Sequence, residues 1–152
     1  MNDEYLKLDK QICFRLYRTS RKMIRLYKPI LESMNITYPQ YVTMLVMWEN
    51  GVIDFKELGK RLDLKTGTLT PIVKRLENLG YVERERNPED NRRVWVKITE
   101  FGREQKHNAL KIPQLLKSYM NLDLNQYQRY VALLDELGEV LDIAEKKQKE
   151  GI

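Results

Sequence analysis

Two short helical segments joined by three residues, followed at once by a change of period, constrain this chain more than any other stretch of its sequence. Asp54 with Glu57 three residues on carries a helix N-cap signature and opens a short helix through Leu58 to Leu62. Asp63-Leu64-Lys65 makes a tight connection. A second helix begins within Thr66-Gly67-Thr68-Leu69-Thr70-Pro71 and runs to Leu79. Pro71, which lacks an N–H, must sit in its first turn, and Gly80 stands where a C′ glycine belongs. This is the helix-turn-helix spacing. Beyond Gly80 the run Tyr81 to Arg86 alternates, Asn87-Pro88-Glu89-Asp90-Asn91 is a turn cluster, and Val94, Val96 and Ile98 alternate again, so a β-hairpin follows. The expected fold class is mainly α with a small β-hairpin wing, a winged helix-turn-helix.

The flanks read as longer helices. The first runs from near Asp9 to Ser33, with Ile12, Leu16, Met23, Ile24, Tyr27, Leu31 and Met34 mostly three or four apart, and Pro29 should kink it or end its regular bonding. Thr37 with Gln40 forms a capping box, Pro39 fits a first turn, and the nearly all-apolar helix that follows to about Glu49 should be buried before Asn50-Gly51 ends it. Thr99 caps a helix to about Leu116, with Pro113 an irregularity, and a last helix runs from near Asn125 to Lys147. These outer helices are too long for the central module to cover. Their apolar faces most simply bury against a second copy in a two-fold homodimer; a four-helix tail folding on itself is the competing account. The expected organisation is one domain over 1–152, with dimerisation helices at 9–50 and 100–148 around a winged helix-turn-helix at 54–99.

Composition removes several classes. With one Cys and one His in 152 residues, neither an internal disulfide framework nor a zinc site of the usual His/Cys type can form. The longest apolar-leaning run, Val42 to Trp48, is far short of the roughly 20 residues that span a bilayer, and Met1-Asn2-Asp3-Glu4 lacks the features of a signal peptide. A cytoplasmic protein without metal, cofactor or membrane partner is expected. The net charge of +5 is uneven: residues 1–33 hold eight basic and four acidic groups, whereas 101–152 balance. That suits a polyanion partner, and equally a solvated, salt-laced surface.

A helix-turn-helix with a hairpin can lay its second helix in a major groove of double-stranded DNA while the hairpin tip reaches the backbone or the minor groove. Thr66, Thr68 and Thr70 are hydroxyl donors at a helix N-terminus, where free N–H groups also favour phosphate. Lys74 and Arg75 can reach phosphate or a guanine edge, Arg84, Arg86 and Arg92 place cations along the wing, and Asp90 is read as the acid that orients an arginine. Each has a plainer reading: the threonines as caps, and Arg84 and Arg86, which alternate with Glu83 and Glu85, as members of cross-strand pairs.

These motifs together resemble the MarR family of winged-helix dimeric repressors from Lys10 onward. The run Thr66 to Pro71, then Lys74-Arg75-Leu76-Glu77, looks like that family's recognition helix, and Asp90-x-Arg92 with Ile98-Thr99-Glu100 looks like its wing. Lys65 departs from the pattern, standing where an acidic residue is common.

Cys13 lies near the start of the first helix among Lys10, Arg15, Arg18, Arg21, Lys22 and Arg25, the electropositive, helix-start setting in which reactive cysteines are found. The plain alternative is an inert core thiol. Gln11-Ile12-Cys13-Phe14, Ser20-Arg21, Tyr27-Lys28-Pro29 and Asn35 through Tyr41 resemble the organic-hydroperoxide-sensing, OhrR-type branch. The resemblance implies that an organic hydroperoxide oxidises Cys13 to sulfenic acid and that tyrosines matching Tyr27 and Tyr38 hold the thiol. Tyr27 is fourteen residues beyond Cys13, about 21 Å along a straight helix. Any contact of Tyr27 and Tyr38 with Cys13 should therefore come from the other subunit, and Tyr17 is the same-chain neighbour. Core packing is the alternative for all three tyrosines. Without a second cysteine, a sulfenic acid needs a low-molecular-weight thiol or a backbone nitrogen, or over-oxidises. The resulting expectation is a non-enzymatic repressor released by peroxidation of Cys13. Its rivals are a repressor released by a small aromatic ligand with Cys13 structural, a thiol peroxidase, and a helical adaptor without specific DNA binding.

Overall fold

The computed structural model describes residues 3–88, 90 and 92–151. The chain divides into two compact units, one reaching to Pro113 and one from Gln114 onward.

Two short 3-10 turns, Asp3–Leu6 and Leu8–Lys10, precede helix α1 (Ile12–Glu32). The helix starts three residues later than its periodicity suggests, because Gln11 is extended with ψ 114° and Asp9 belongs to the second 3-10 turn. Pro29 does not end α1: it falls in the last turn, where only one internal bond is lost, and the helix continues to Glu32. Helix α2 (Tyr38–Asn50) opens on the expected capping box, the Thr37 N–H donating to Gln40 Oε1 at 2.8 Å, with Pro39 in its first turn. Gly51, at φ 70°, ends it.

Strand β1 (Val52–Asp54) is an addition to the hairpin seen in the sequence, and the sheet has three antiparallel strands in the order β1-β3-β2. Asp54 caps helix α3 (Phe55–Arg61), its carboxylate accepting from the Lys56 N–H at 2.9 Å. The Glu57 N–H also donates to Asp54 Oδ1, at 3.4 Å, as the cap signature expects, while the Glu57 side chain pairs with Lys60 at 3.4 Å. Helix α4 (Thr66–Asn78) follows the tight connection, in which Asp63 takes a positive φ of 51°. Gly59 makes that corner possible: a Cβ there would lie 2.9 Å from the Leu64 carbonyl oxygen. Leu69, Val73 and Leu76 are fully buried along one face of α4, each worth about 1.5–3 kcal/mol of apolar burial. Its C-terminus is a Schellman motif, the Tyr81 N–H donating to Leu76 O at 3.0 Å and the Gly80 N–H to Glu77 O at 2.9 Å, with Gly80 at φ 78°.

Strands β2 (Val82–Arg86) and β3 (Val94–Ile98) form the hairpin, with Val82 opposite Ile98 and Arg84 opposite Val96. The turn cluster is described only in part, since Glu89 and Asn91 lie outside the described residues. Thr99 caps helix α5 (Glu100–Ala109) as expected, accepting from the Gly102 N–H at 3.0 Å. The single helix expected to Leu116 is two, for α6 (Ile112–Met120) begins after a break at Leu110 and Lys111. Pro113 is in the first turn of α6 and has no N–H to offer Ala109, so the ladder fails one turn ahead of it. In the second unit, helix α7 (Leu124–Glu150) opens on an Asp123–Gln126 capping box and has no buried residue within the single chain. Leu134, Leu141 and Ile143 are each more than half exposed, so the tail does not cover its own apolar side chains. Among the described residues no helix is long and apolar enough to cross a membrane.

Candidate nucleic-acid interface and thiol site

Helix α4 presents the expected hydroxyls at its N-terminus. Thr66 is its first residue, Lys65 precedes it without a side-chain cap bond, and Thr66 and Thr68 are exposed. Thr70 is turned back onto its own helix, its hydroxyl donating to Thr66 O at 2.7 Å. Lys74 and Arg75 are both exposed. Arg75 also lines a groove of about 500 Å³ with Arg25, Lys28 and Glu32 of α1, walled by Ile24, Leu31 and Ile36.

The wing differs from expectation in how its charges are engaged. Arg84 does not pair with Glu83 or Glu85: its Nη2 and Nε donate to Glu77 Oε2 at 2.6 and 3.0 Å, and its backbone N–H donates to Glu77 Oε1 at 3.2 Å. Those bonds from Arg84 hold the Glu77 carboxyl below its ordinary range. Glu85 forms the cross-strand ion pair, with Lys97. Arg86 is exposed at the end of β2. Asp90 accepts from the backbone N–H of Arg92 at 3.0 Å, so it shapes the turn beneath that residue, and Arg92 is exposed.

Arg93 went unread in the sequence. Its Nε donates to Asp54 Oδ2 at 3.0 Å and its guanidinium stands 5.4 Å over the Trp95 ring. Burial of Asp54 pulls its carboxyl upward, but the Arg93 guanidinium and the N–H groups of Lys56 and Glu57 together hold it below the ordinary value. The signal lay in β1, since pairing Asp54 opposite Trp95 brings the acid beside the base of the wing. The wing is thus tied to α4 through Glu77 and to the cap of α3 through Asp54. Tyr81, at its root and 2% exposed, donates its hydroxyl to Met34 O at 2.7 Å, joining it to the turn between α1 and α2.

Cys13 is the second residue of α1 and is exposed in the single chain. The first N–H groups of a helix have no intrahelical acceptor, so they face this end. Arg15 donates to Asp9 O at 2.7 Å. Tyr17, one turn on and 58% exposed, is engaged by Arg21, whose guanidinium lies 5.4 Å from its ring. Tyr27 and Tyr38 meet each other edge to face at 4.9 Å. Tyr41 extends this cluster, 5.7 Å from Tyr27 and 6.3 Å from Trp48. Trp48 in turn donates from Nε1 to Gly102 O at 2.7 Å. Since α1 is one helix from Ile12 to Glu32, Cys13 and Tyr27 are separated by about 21 Å along its axis. The fold joins the two tyrosines and does not bring them to the thiol of the same chain.

Comparison with known proteins places this geometry. Residues 25–109 match the family described as Transcriptional regulator SarA/Rot. The organic hydroperoxide resistance transcriptional regulator of Bacillus subtilis is 46% identical over 110 residues, covering 72% of this chain and 75% of that one. The reduced form of AbfR bound to DNA superposes with a TM-score of 0.82 at 32% identity, covering 95% of this chain and 99% of that one. An overoxidised AbfR bound to DNA superposes with a TM-score of 0.76 at 33% identity, covering 95% and 99%. By these matches in sequence and fold, the chain belongs to the MarR/SarA-type family of winged-helix transcriptional regulators.

Proposed function

We propose that this chain is a homodimeric repressor that binds a near-palindromic operator and releases it when an organic hydroperoxide oxidises Cys13. The observation that carries the reading is the placement of the chain's one cysteine, exposed at the second position of α1, in a relative of an organic hydroperoxide resistance regulator. In the step itself the thiolate sulfur attacks an oxygen of the peroxide. An S–O bond forms, the O–O bond breaks, and the departing alkoxide takes up a proton equivalent to the one the thiol released on ionising and leaves as the alcohol. Cys13 becomes a sulfenic acid while the hydroperoxide is reduced by two electrons. A low-molecular-weight thiol then condenses with the sulfenic acid to a mixed disulfide and water. Tyr27 and Tyr38 reach Cys13 from the partner protomer, and the exposed apolar side chains of α7 bury against that partner. Thr66, Thr68, Lys74, Arg75, Arg86 and Arg92 contact DNA, with Thr70 and Asp90 shaping the backbone on which those residues stand. A gel shift with and without an organic hydroperoxide tests this. Wild type dissociates after treatment and Cys13→Ser stays bound; equal dissociation of the two ends the sensing reading.

One observation favours a second reading, in which Cys13 is structural and an aromatic anion is the signal. The groove of about 500 Å³ joins Arg25 and Arg75, with Lys28 paired to Glu32 at 3.8 Å, to apolar walls, and two cations not engaged by that acid suit a small aromatic carboxylate. Release of DNA from Cys13→Ser by benzoate in the absence of oxidant supports this alternative, and its retention removes it.

A further inference from the structure

The sheet alternation places Arg84 where a DNA contact would be badly served. Residues 82, 84, 86, 94, 96 and 98 share one face of the hairpin; Val82, Val96 and Ile98, which surround Arg84, are buried, whereas Arg86 at the far end is exposed. Arg84 therefore leaves the strand on the side that packs inward, and its charged end is brought to Glu77 in the last turn of α4. Its backbone amide is equally committed. β2 is an edge strand, and the neighbouring bonds of Asn87 N–H to Arg93 O and Thr99 N–H to Tyr81 O show that odd-numbered residues of β2 pair with β3. The Arg84 N–H thus points away from the sheet, and Glu77 Oε1 accepts it at 3.2 Å. One carboxylate covers an open sheet edge and grips the same residue by both backbone and side chain.

We propose that Glu77 and Arg84 are positioning residues for operator recognition: they fix the angle at which the wing leaves the recognition helix, and Arg84 makes no DNA contact of its own. This role rests on the DNA-binding reading above. Both side chains remain about one-third exposed, so the pair adds little to overall stability. What the guanidinium fork supplies, with Nε and Nη2 both on Glu77 Oε2 and the backbone N–H on Oε1, is geometry. The turn between the partners is pinned by the Schellman bonds at Gly80 and Tyr81, and β3 is held on its other side by β1, so this clamp fixes the free β2 edge of the hairpin against α4. On the opposite edge Asp54 and Arg93 hold the hairpin to the cap of α3.

The test uses the full-length protein and two duplexes of equal length, one enriched from a random library by the wild-type chain and one scrambled. The readouts are the affinity ratio between them and the slope of log K against log salt. Glu77→Gln, Arg84→Gln and Arg84→Lys each lower the ratio by about tenfold, the worth of one misplaced base contact. They leave the scrambled-duplex affinity and the salt slope unchanged. Arg84→Lys keeps the charge and loses the fork, so it separates the two roles. The reversed pair, Glu77→Arg with Arg84→Glu, restores the ion pair but offers no acceptor to the N–H of residue 84, so it recovers the ratio only in part. The proposal is overturned if Arg84→Gln lowers the slope by about 1, weakening both duplexes alike as loss of a phosphate contact does. It is overturned as well if Glu77→Gln leaves the ratio at the wild-type value. If the wild-type chain enriches no duplex, the DNA-binding reading falls and takes this role with it, a result distinct from either of the others.

Discussion

Replacing Tyr81 by Phe isolates one hydroxyl that joins the root of the wing to the turn between α1 and α2. Tyr81 is 2% exposed and its O–H donates to Met34 O at 2.7 Å. The ring stays, and with it the edge-to-face contact with Phe101 at 5.1 Å, so neither apolar burial nor packing volume changes appreciably. What is lost is a buried hydrogen bond, and the Met34 carbonyl is left without that donor. An acceptor stranded in this way costs about 1–3 kcal/mol. For a chain of this length each kcal/mol lowers Tm by roughly 2–4 °C, so a fall of about 2–12 °C is expected. Urea denaturation at a fixed protein concentration, which holds any oligomer equilibrium constant, should show the midpoint fall with the m-value unchanged. A stability loss below about 0.5 kcal/mol would refute the claim that this bond carries the tie, because an exposed or water-replaced hydroxyl costs no more than that.

Two further substitutions and one titration follow from the same contacts. Gly102→Ala in α5 ordinarily gains helix propensity, but here a Cβ would stand 2.2 Å from Tyr81 O and 2.9 Å from Ile98 Cγ1. It should lower stability by about 3 kcal/mol or more, and a neutral result in thermal melting contradicts the close approach. Gly80→Ala, at φ 78°, should cost about 1–2 kcal/mol through left-handed strain alone, read by the same melt. Asp54 and Glu77 both have carboxyls held below their ordinary values. Their contribution to stability is therefore complete above the unfolded carboxylate range near pH 4–4.5 and is lost as pH falls through the lowered native values. Arg84→Gln combined with Arg93→Gln should raise those native values and weaken the acid dependence in this window; an unchanged stability–pH profile there contradicts the assignment of both pairs.

What could be read from the sequence was whatever local chemistry decides. Thr37 with Gln40, Asp54, Thr99 and Gly80 are caps whose partners lie within a few residues, and each stands where its type and spacing put it. β1 could not be read that way: three residues show no alternation, and Val52–Asp54 becomes a strand only by pairing with Trp95 to Lys97. Missing it hid Arg93, whose partner Asp54 was visible only as a cap. Arg84 reads in the sequence as one of the wing's cations, whereas its partner lies on α4 across the Gly80 turn. Pro113 drew attention to an irregularity one turn away from where the helix breaks. At the thiol, the position of Cys13 near a helix start was legible from the pattern. The mutual contact of Tyr27 and Tyr38 depends on how α2 folds back against α1, which periodicity does not encode.

In the proposed function the oxidation state of one sulfur sets DNA affinity. The most direct measurement treats the wild-type protein with graded organic and inorganic peroxide. It follows the mass of the peptide containing Cys13 and, on the same samples, the fraction of an enriched duplex retained. The account predicts that loss of DNA binding tracks the fraction of Cys13 modified, one for one, at lower doses of organic hydroperoxide than of hydrogen peroxide, and that Cys13→Ser retains DNA throughout. Full modification of Cys13 with DNA affinity unchanged, or release of DNA while Cys13 remains a thiol, would contradict it.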